Sequence, residues 1–194
     1  MLIGITGGIG SGKTTVAKLF AAYKNVTVYY ADLEAKKLMN TSEVIRKKLI
    51  REFGEKAYDT NGLNRAFLAN IVFKDKEKLT NLNEIVHPEV YKHLTNFIEE
   101  HKDKEYILYE NAILFENGSD KICDKIITVT APHEVKIQRV IERDKTTREE
   151  VLHRMKNQWS DIKKKLQSHY VIVNENLNTV KENVKNIHNK LTEK

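Results

Sequence analysis

The chain has a single cysteine, Cys123, in 194 residues. A lone thiol cannot close an intramolecular disulfide, which excludes a disulfide-stapled secreted scaffold. Long apolar runs are lacking as well: none approaches the ~20 residues needed to span a bilayer. The first run, residues 2–5, is too short for a secretory signal and has no basic segment ahead of it. These absences point to a soluble, cytoplasmic protein with no membrane partner. The histidines form no H-E-x-x-H pattern and no Cys/His cluster, so zinc is not expected. Internal repeats, low-complexity tracts and Gly/Ser linkers are missing, which fits one domain of moderate size carrying an insertion.

What the chain does have is charge. Charged residues make up 31% and apolar ones 40%, a balance that excludes a disordered tail. Lys and Arg exceed Asp and Glu by 33 − 27 = +6. Such an excess suits nucleic acid, a membrane surface or a small polyanion, or serves solubility alone, and only its placement decides.

Short apolar runs recur at residues 2–6, 26–30, 106–109, 126–129 and 170–173. Helical spacing lies between them, at residues 13–23, 132–143, 148–158 and 180–191, with Thr147-x-x-Glu150 as a capping box. Strands alternating with helices predict an α/β fold with a five-stranded parallel sheet. Residues 33–102 break the alternation. No strand is expected there, and helices are expected at 33–39, 43–53, 65–73, 76–86 and 88–101, with a turn at Asp59-Thr-Asn-Gly62. Seventy helical residues exceed a simple crossover, so residues 32–102 are expected to form an inserted subdomain. The core is then 1–31, 103–138 and 166–194, and 139–165 a helical lid.

Gly7-Gly-Ile-Gly-Ser-Gly-Lys13-Thr14 fits G-x-x-x-x-G-K-[ST], placed between a predicted strand and helix. Glycines let the backbone amides turn toward one anion, and the following helix adds its positive end. Lys13 is then expected on the β- and γ-phosphates of a nucleoside triphosphate, and Thr14 on Mg²⁺. A dinucleotide site would want glycine where Lys13 stands.

Asp32 follows the second strand at its carboxyl end, where ligands of open parallel sheets gather. It is a candidate general base for an attacking hydroxyl, a Mg²⁺ partner through water, or an N-cap for a helix starting at Leu33. Glu110 ends the third strand and could support the Mg²⁺ water shell. Arg139 and Arg143 share a helix face. With Arg148, Arg154 and Lys164 they could neutralise phosphate charge from a mobile lid, or form a solvated basic face with Glu142 and Asp144.

With these residues in place, the chain resembles the dephospho-coenzyme A kinase family, similar in turn to P-loop nucleotide kinases. Gly4 to Thr15 resembles the family's opening, which usually has Ser where Thr14 stands, and Ala31-Asp32 its strand-two pair. Gly62-Leu-Asn-Arg65, Leu68, Val72-Phe73, Ile85-Val-His-Pro88 and Ile113-Leu-Phe-Glu116 are similar to further family segments. So are Arg139 with Arg143-Asp144, Arg154 with Gln158, Lys164 and Asn174. Tyr30, Asn64, Ala112 and His169 depart from it; none is Lys13, Thr14 or Asp32.

The resemblance implies a P-loop kinase fold with a helical acceptor-binding insertion and a lid. It implies transfer of phosphate from ATP to the ribose 3′-hydroxyl of dephospho-coenzyme A. Gly8, Ile9, Gly10, Ser11, Gly12, Lys13, Thr14, Thr15, Arg139, Arg143 and Arg154 would bind ATP. Asp32, as base, with Arg65, His87 and Glu116 would meet the acceptor, and Lys13 and Arg143 would assist catalysis. His87 could equally serve a helix start before Pro88. Another small-molecule kinase or a nucleotide-dependent switch are the alternatives. Nucleic acid is not required to explain the charge, and a stand-alone monomer or weak homo-oligomer is expected.

Overall fold

β-Branched and aromatic runs become strands here, and the central ones find cover on both faces. The computed structural model describes residues 1–72 and 74–193. Seven strands occur among the described residues: β1 (Leu2–Thr6), β2 (Val26–Tyr30), β3 (Tyr58–Asp59), β4 (Gly62–Leu63), β5 (Tyr106–Glu110), β6 (Lys125–Thr130) and β7 (Tyr170–Val173). The α-helices are α1 (Lys13–Ala21), α2 (Ala31–Thr41), α3 (Glu43–Phe53), α4 (Arg65–Val72), α5 (Lys76–Glu100), α6 (His133–Asp144), α7 (Arg148–Lys156), α8 (Asp161–Leu166) and α9 (Leu177–Thr192). The chain divides into two compact units, Met1–Tyr30 with the chain from His101 onward, and Ala31–Glu100.

In the first unit five parallel strands take the order β2-β5-β1-β6-β7. Central β1 and β5 are buried at every residue, and so read as unbroken apolar runs. Ile3, Ile5, Val16, Phe20, Leu108, Ile127, Ile172, Val180 and Val184 join one core beneath α1 and α9. Each such side chain contributes about 1.5–3 kcal/mol on burial. The register sets Ile5 beside Glu110 and Glu110 beside Tyr30, so β1, β5 and β2 end side by side.

α9 also buries a titratable ring. His188 Nδ1 lies 2.8 Å from the Tyr106 hydroxyl, and the ring stacks on Tyr23 at 3.7 Å. Burial holds the imidazole below its ordinary value. The unfolded chain therefore takes up this proton first, and stability falls as pH drops below about 6.5. Urea unfolding at pH 7.5 and pH 5.5 should show a smaller loss for His188→Gln than for the parent protein. An equal loss would remove His188 as the source.

Within the same unit, α6, α7 and α8 occupy the stretch expected as a lid. Val151 of α7 is buried with Ile137 and Val140 of α6. Lys145, at φ 53°, makes the turn between the two helices. The Thr147 hydroxyl caps α7 by accepting from the Glu150 N–H at 3.3 Å. The Glu150 carboxylate takes the Thr146 hydroxyl as well as the Thr147 backbone, and both hold it below its ordinary value.

The second unit corrects three expectations. The helices expected at 76–86 and 88–101 are one, α5, with Pro88 inside it. Proline removes one backbone donor, and buried Val86, Val90 and Leu94 hold the helix on both sides of it. A strand pair does occur: Tyr58 pairs with Leu63 and Asp59 with Gly62, too briefly to leave a periodic pattern. α2 begins at Ala31, so Asp32 lies in its first turn and is not the cap. The last residue of the helix expected at 65–73, Phe73, lies outside the described residues, as does Lys194. No described helix is long and apolar enough to cross a membrane.

Candidate active site

The site in the first unit is built at the carboxyl end of β1. Thr6 ends the strand, and Gly12, left-handed at φ 82°, opens α1 at Lys13. A turn within the loop is closed by the Ser11 N–H donating to the Gly8 carbonyl at 3.0 Å. Gly10 is also left-handed, at φ 80°, and a Cβ there would run into the Lys136 backbone. A Cβ on Gly12 would run into the Asn174 side-chain amide. Both positions need glycine for conformation and for space.

Lys13 and Thr14 converge on one carboxylate. Lys13 Nζ lies 2.6 Å from Glu110 Oε1, and the Thr14 hydroxyl donates to the same oxygen at 2.9 Å. Glu110 ends β5 and is 3% exposed. Burial and this carboxylate together raise the Tyr30 phenol above its ordinary value.

Behind the loop, Asn174 follows β7. Its side-chain amide donates to the Ser11 carbonyl at 2.9 Å, and its own carbonyl accepts from Arg139 Nη2 at 3.0 Å. The other Arg139 amine, Nη1, and the Ser11 hydroxyl are buried without a hydrogen-bond partner among the described residues. Nη1 lies 3.7 Å from where a Gly12 Cβ would stand.

In front of the loop, the Ile9 N–H donates to Gln158 Oε1 at 2.9 Å. Lys136 Nζ pairs with Asp161 Oδ2 at 2.6 Å, and the Thr130 hydroxyl donates to the same oxygen. Neither Lys136 nor Asp161 stood out in the sequence. Lys136 is only 7% exposed, a burial that its pairing with Asp161 permits and no spacing announces.

The other expected residues are placed as follows. Arg143 Nε and Arg154 Nη1 both hold Asp144, at 2.7 and 2.8 Å, with side chains 64% and 46% exposed. These two arginines, Arg143 first, keep the Asp144 carboxyl below its ordinary range. Glu116 accepts from the Trp159 N–H at 2.8 Å and pairs with buried Lys164 at 2.9 Å. In the second unit Asp32, Arg65 and His87 are exposed, in α2, α4 and α5. Asn64, where the family usually has Asp, caps α4 by accepting from the Phe67 N–H at 3.1 Å.

The residues fit a magnesium–triphosphate ligand. The Ser11 hydroxyl and Arg139 Nη1 are buried donors without partners at the loop, as polyphosphate oxygens would require. Thr14 and Glu110 offer the hard oxygens that Mg²⁺ takes beside substrate phosphates. No cluster of three or more His, Cys, Asp or Glu exists among the described residues to hold a different ion.

A parallel sheet of this order, with its G-x-x-x-x-G-K-T loop between β1 and α1, defines a P-loop kinase fold. The family model described as dephospho-CoA kinase matches residues 1–179. A dephospho-CoA kinase of Fusobacterium nucleatum is 43% identical over 178 residues, 90% of this chain and 89% of that one. The crystal structure of TT1252 from Thermus thermophilus superposes with a TM-score of 0.89 at 34% identity, covering 100% of this chain and 98% of that one. A dephospho-CoA kinase from Campylobacter jejuni shares the fold at a TM-score of 0.70 and 22% identity, covering 98% and 96%. The chain belongs to the dephospho-CoA kinase family. It is a kinase that phosphorylates dephospho-CoA to coenzyme A with ATP.

Proposed function

We propose that the chain transfers the γ-phosphoryl group of ATP in line to the ribose 3′-hydroxyl of dephospho-coenzyme A. The observation that carries this reading is the pair of unpartnered buried donors at the loop, Ser11 Oγ and Arg139 Nη1. A buried donor without a partner is costly unless a ligand supplies the acceptor.

The loop amides between Gly8 and Thr15 that are not already bonded within the protein, together with Lys13, hold the phosphates, and Arg139 adds its free amine. Thr14, with Glu110, holds Mg²⁺. The metal, when bound, would supply positive charge to the phosphates. Asp32 orients the acceptor hydroxyl and takes its proton as the new P–O bond forms and the bond to ADP breaks. Residues 32–102 bind the acceptor, with Arg65 and His87 contributing and Glu116 supporting that side. Residues 139–165 act as a lid. When the lid closes, Arg143 and Arg154 exchange Asp144 for phosphate, which excludes water as a competing acceptor. The enzyme works in the cytoplasm as a monomer or weak homo-oligomer, without a nucleic-acid partner.

The test is direct. Incubation with ATP, Mg²⁺ and dephospho-coenzyme A should add one phosphate to the acceptor, read by mass spectrometry. No gain under conditions where nucleosides or other alcohols are phosphorylated would reject the acceptor.

A further inference from the structure

The chain between α7 and α8 is tied down at nearly every residue. Gln158 accepts the Ile9 N–H at 2.9 Å. The Trp159 N–H reaches Glu116 at 2.8 Å, and its ring stacks on Phe115 at 5.6 Å. The Ser160 hydroxyl caps α8, accepting from the Lys163 N–H at 3.3 Å. Asp161 receives Thr130 and Lys136. In this arrangement the segment presents the Gln158 carbonyl to the first half of the phosphate loop.

Ile9 is held twice. Its amide is used by Gln158, and its side chain packs against the buried cluster of Ile137, Val140 and Val151. An amide already bonded inside the protein is not a donor for phosphate. Gln158 therefore acts on the nucleotide through the shape of the loop. Nor is Gln158 held by tight packing alone. A cavity of about 570 Å³, lined by Gly8, Ile9, Lys136, Leu152, Met155 and Gln158 among others, opens beside it.

We propose that Gln158 is a positioning residue for ATP: its carbonyl fixes the Ile9 amide and so sets the loop before the nucleotide arrives. This rests on residues 7–14 being the ATP loop. A loop ordered in advance loses less conformational freedom on binding, so the effect belongs to nucleotide affinity.

Gln158→Met keeps the length of the side chain and removes the acceptor. The KM for ATP should rise about five- to tenfold, the scale of one lost hydrogen bond. Both kcat and the KM for dephospho-coenzyme A should stay within about twofold. In the nucleotide-free protein the Ile9 amide should exchange its hydrogen about tenfold faster, as a lost local bond requires. A faster Ile9 exchange with an unchanged KM for ATP would overturn the proposal, and so would unchanged exchange. Equal rises in both KM values, or a lowered Tm with kinetics intact, would make Gln158 merely structural and overturn it too. If Gln158→Met does not fold, Gln158→Asn withdraws the carbonyl by one methylene and is judged by the same readouts. Lys13→Ala separates the underlying reading: undiminished ATP affinity there would reject the loop itself.

Discussion

Asp32→Asn should lower kcat by about 10²–10⁴-fold, the usual scale for removing a general base. The substitution keeps the size and shape of the side chain and removes its basicity. Asp32 stands two residues beyond Tyr30, the last residue of β2, and inside the first turn of α2, so a helix fixes its backbone. The KM for ATP should change little, because nothing assigned to the phosphates is altered. Steady-state rates at saturating ATP and acceptor provide the measurement. Turnover within a few-fold of the parent would remove Asp32 from the chemistry and leave positioning alone to carry phosphoryl transfer.

Lys164→Met should destabilise the fold by about 3–5 kcal/mol, as expected when one partner of a buried ion pair is deleted. The Lys164 side chain has no exposed surface, and Glu116 only 14%. Burial pulls the ammonium below its ordinary value, and Glu116 opposes that pull. Lys164 Nζ also donates to the Ala112 carbonyl at 2.8 Å, so the variant takes a donor from two acceptors at once. Urea unfolding should show the loss, and Lys164→Met combined with Glu116→Gln should recover a large part of it. A loss below about 1 kcal/mol, typical of exposed pairs, would mean that water reaches the pair.

The parallel sheet was legible because its strands are unbroken apolar runs bounded by polar clusters. The loop was legible because few sequences place Gly, four residues, then Gly, Lys and Thr in that order after a strand. α8 was missed because it spans six residues and leaves Ile162 and Leu166 at 70% and 80% exposure, so it has no buried stripe to detect. α5 was divided in two because proline carries a strong local signal, while the contacts that outweigh it come from elsewhere in the unit. The site divides the same way. Lys13 and Thr14 declare themselves by spacing. Lys136 and Asp161 are 25 residues apart and meet only because β6, α6 and α8 fold together. Arg143 and Arg154 were open to two readings, lid cations or a solvated face with Asp144. The fold places both on Asp144, while Arg139, on the same helix as Arg143, turns its amine to the loop.

The ion pair between Lys13 and Glu110 bears on how an anion would enter the loop. A bare phosphate drawing Lys13 away would break the ion pair and leave a carboxylate that is 3% exposed facing the newcomer's own negative charge. Repulsion would then offset much of what Lys13 gains. An anion that carries its own cation would meet no such conflict, because Glu110 would keep a positive partner as Lys13 turned to the phosphates. With the loop read as the ATP site, the shared oxygen would weigh against free phosphate at amides that alone would welcome it.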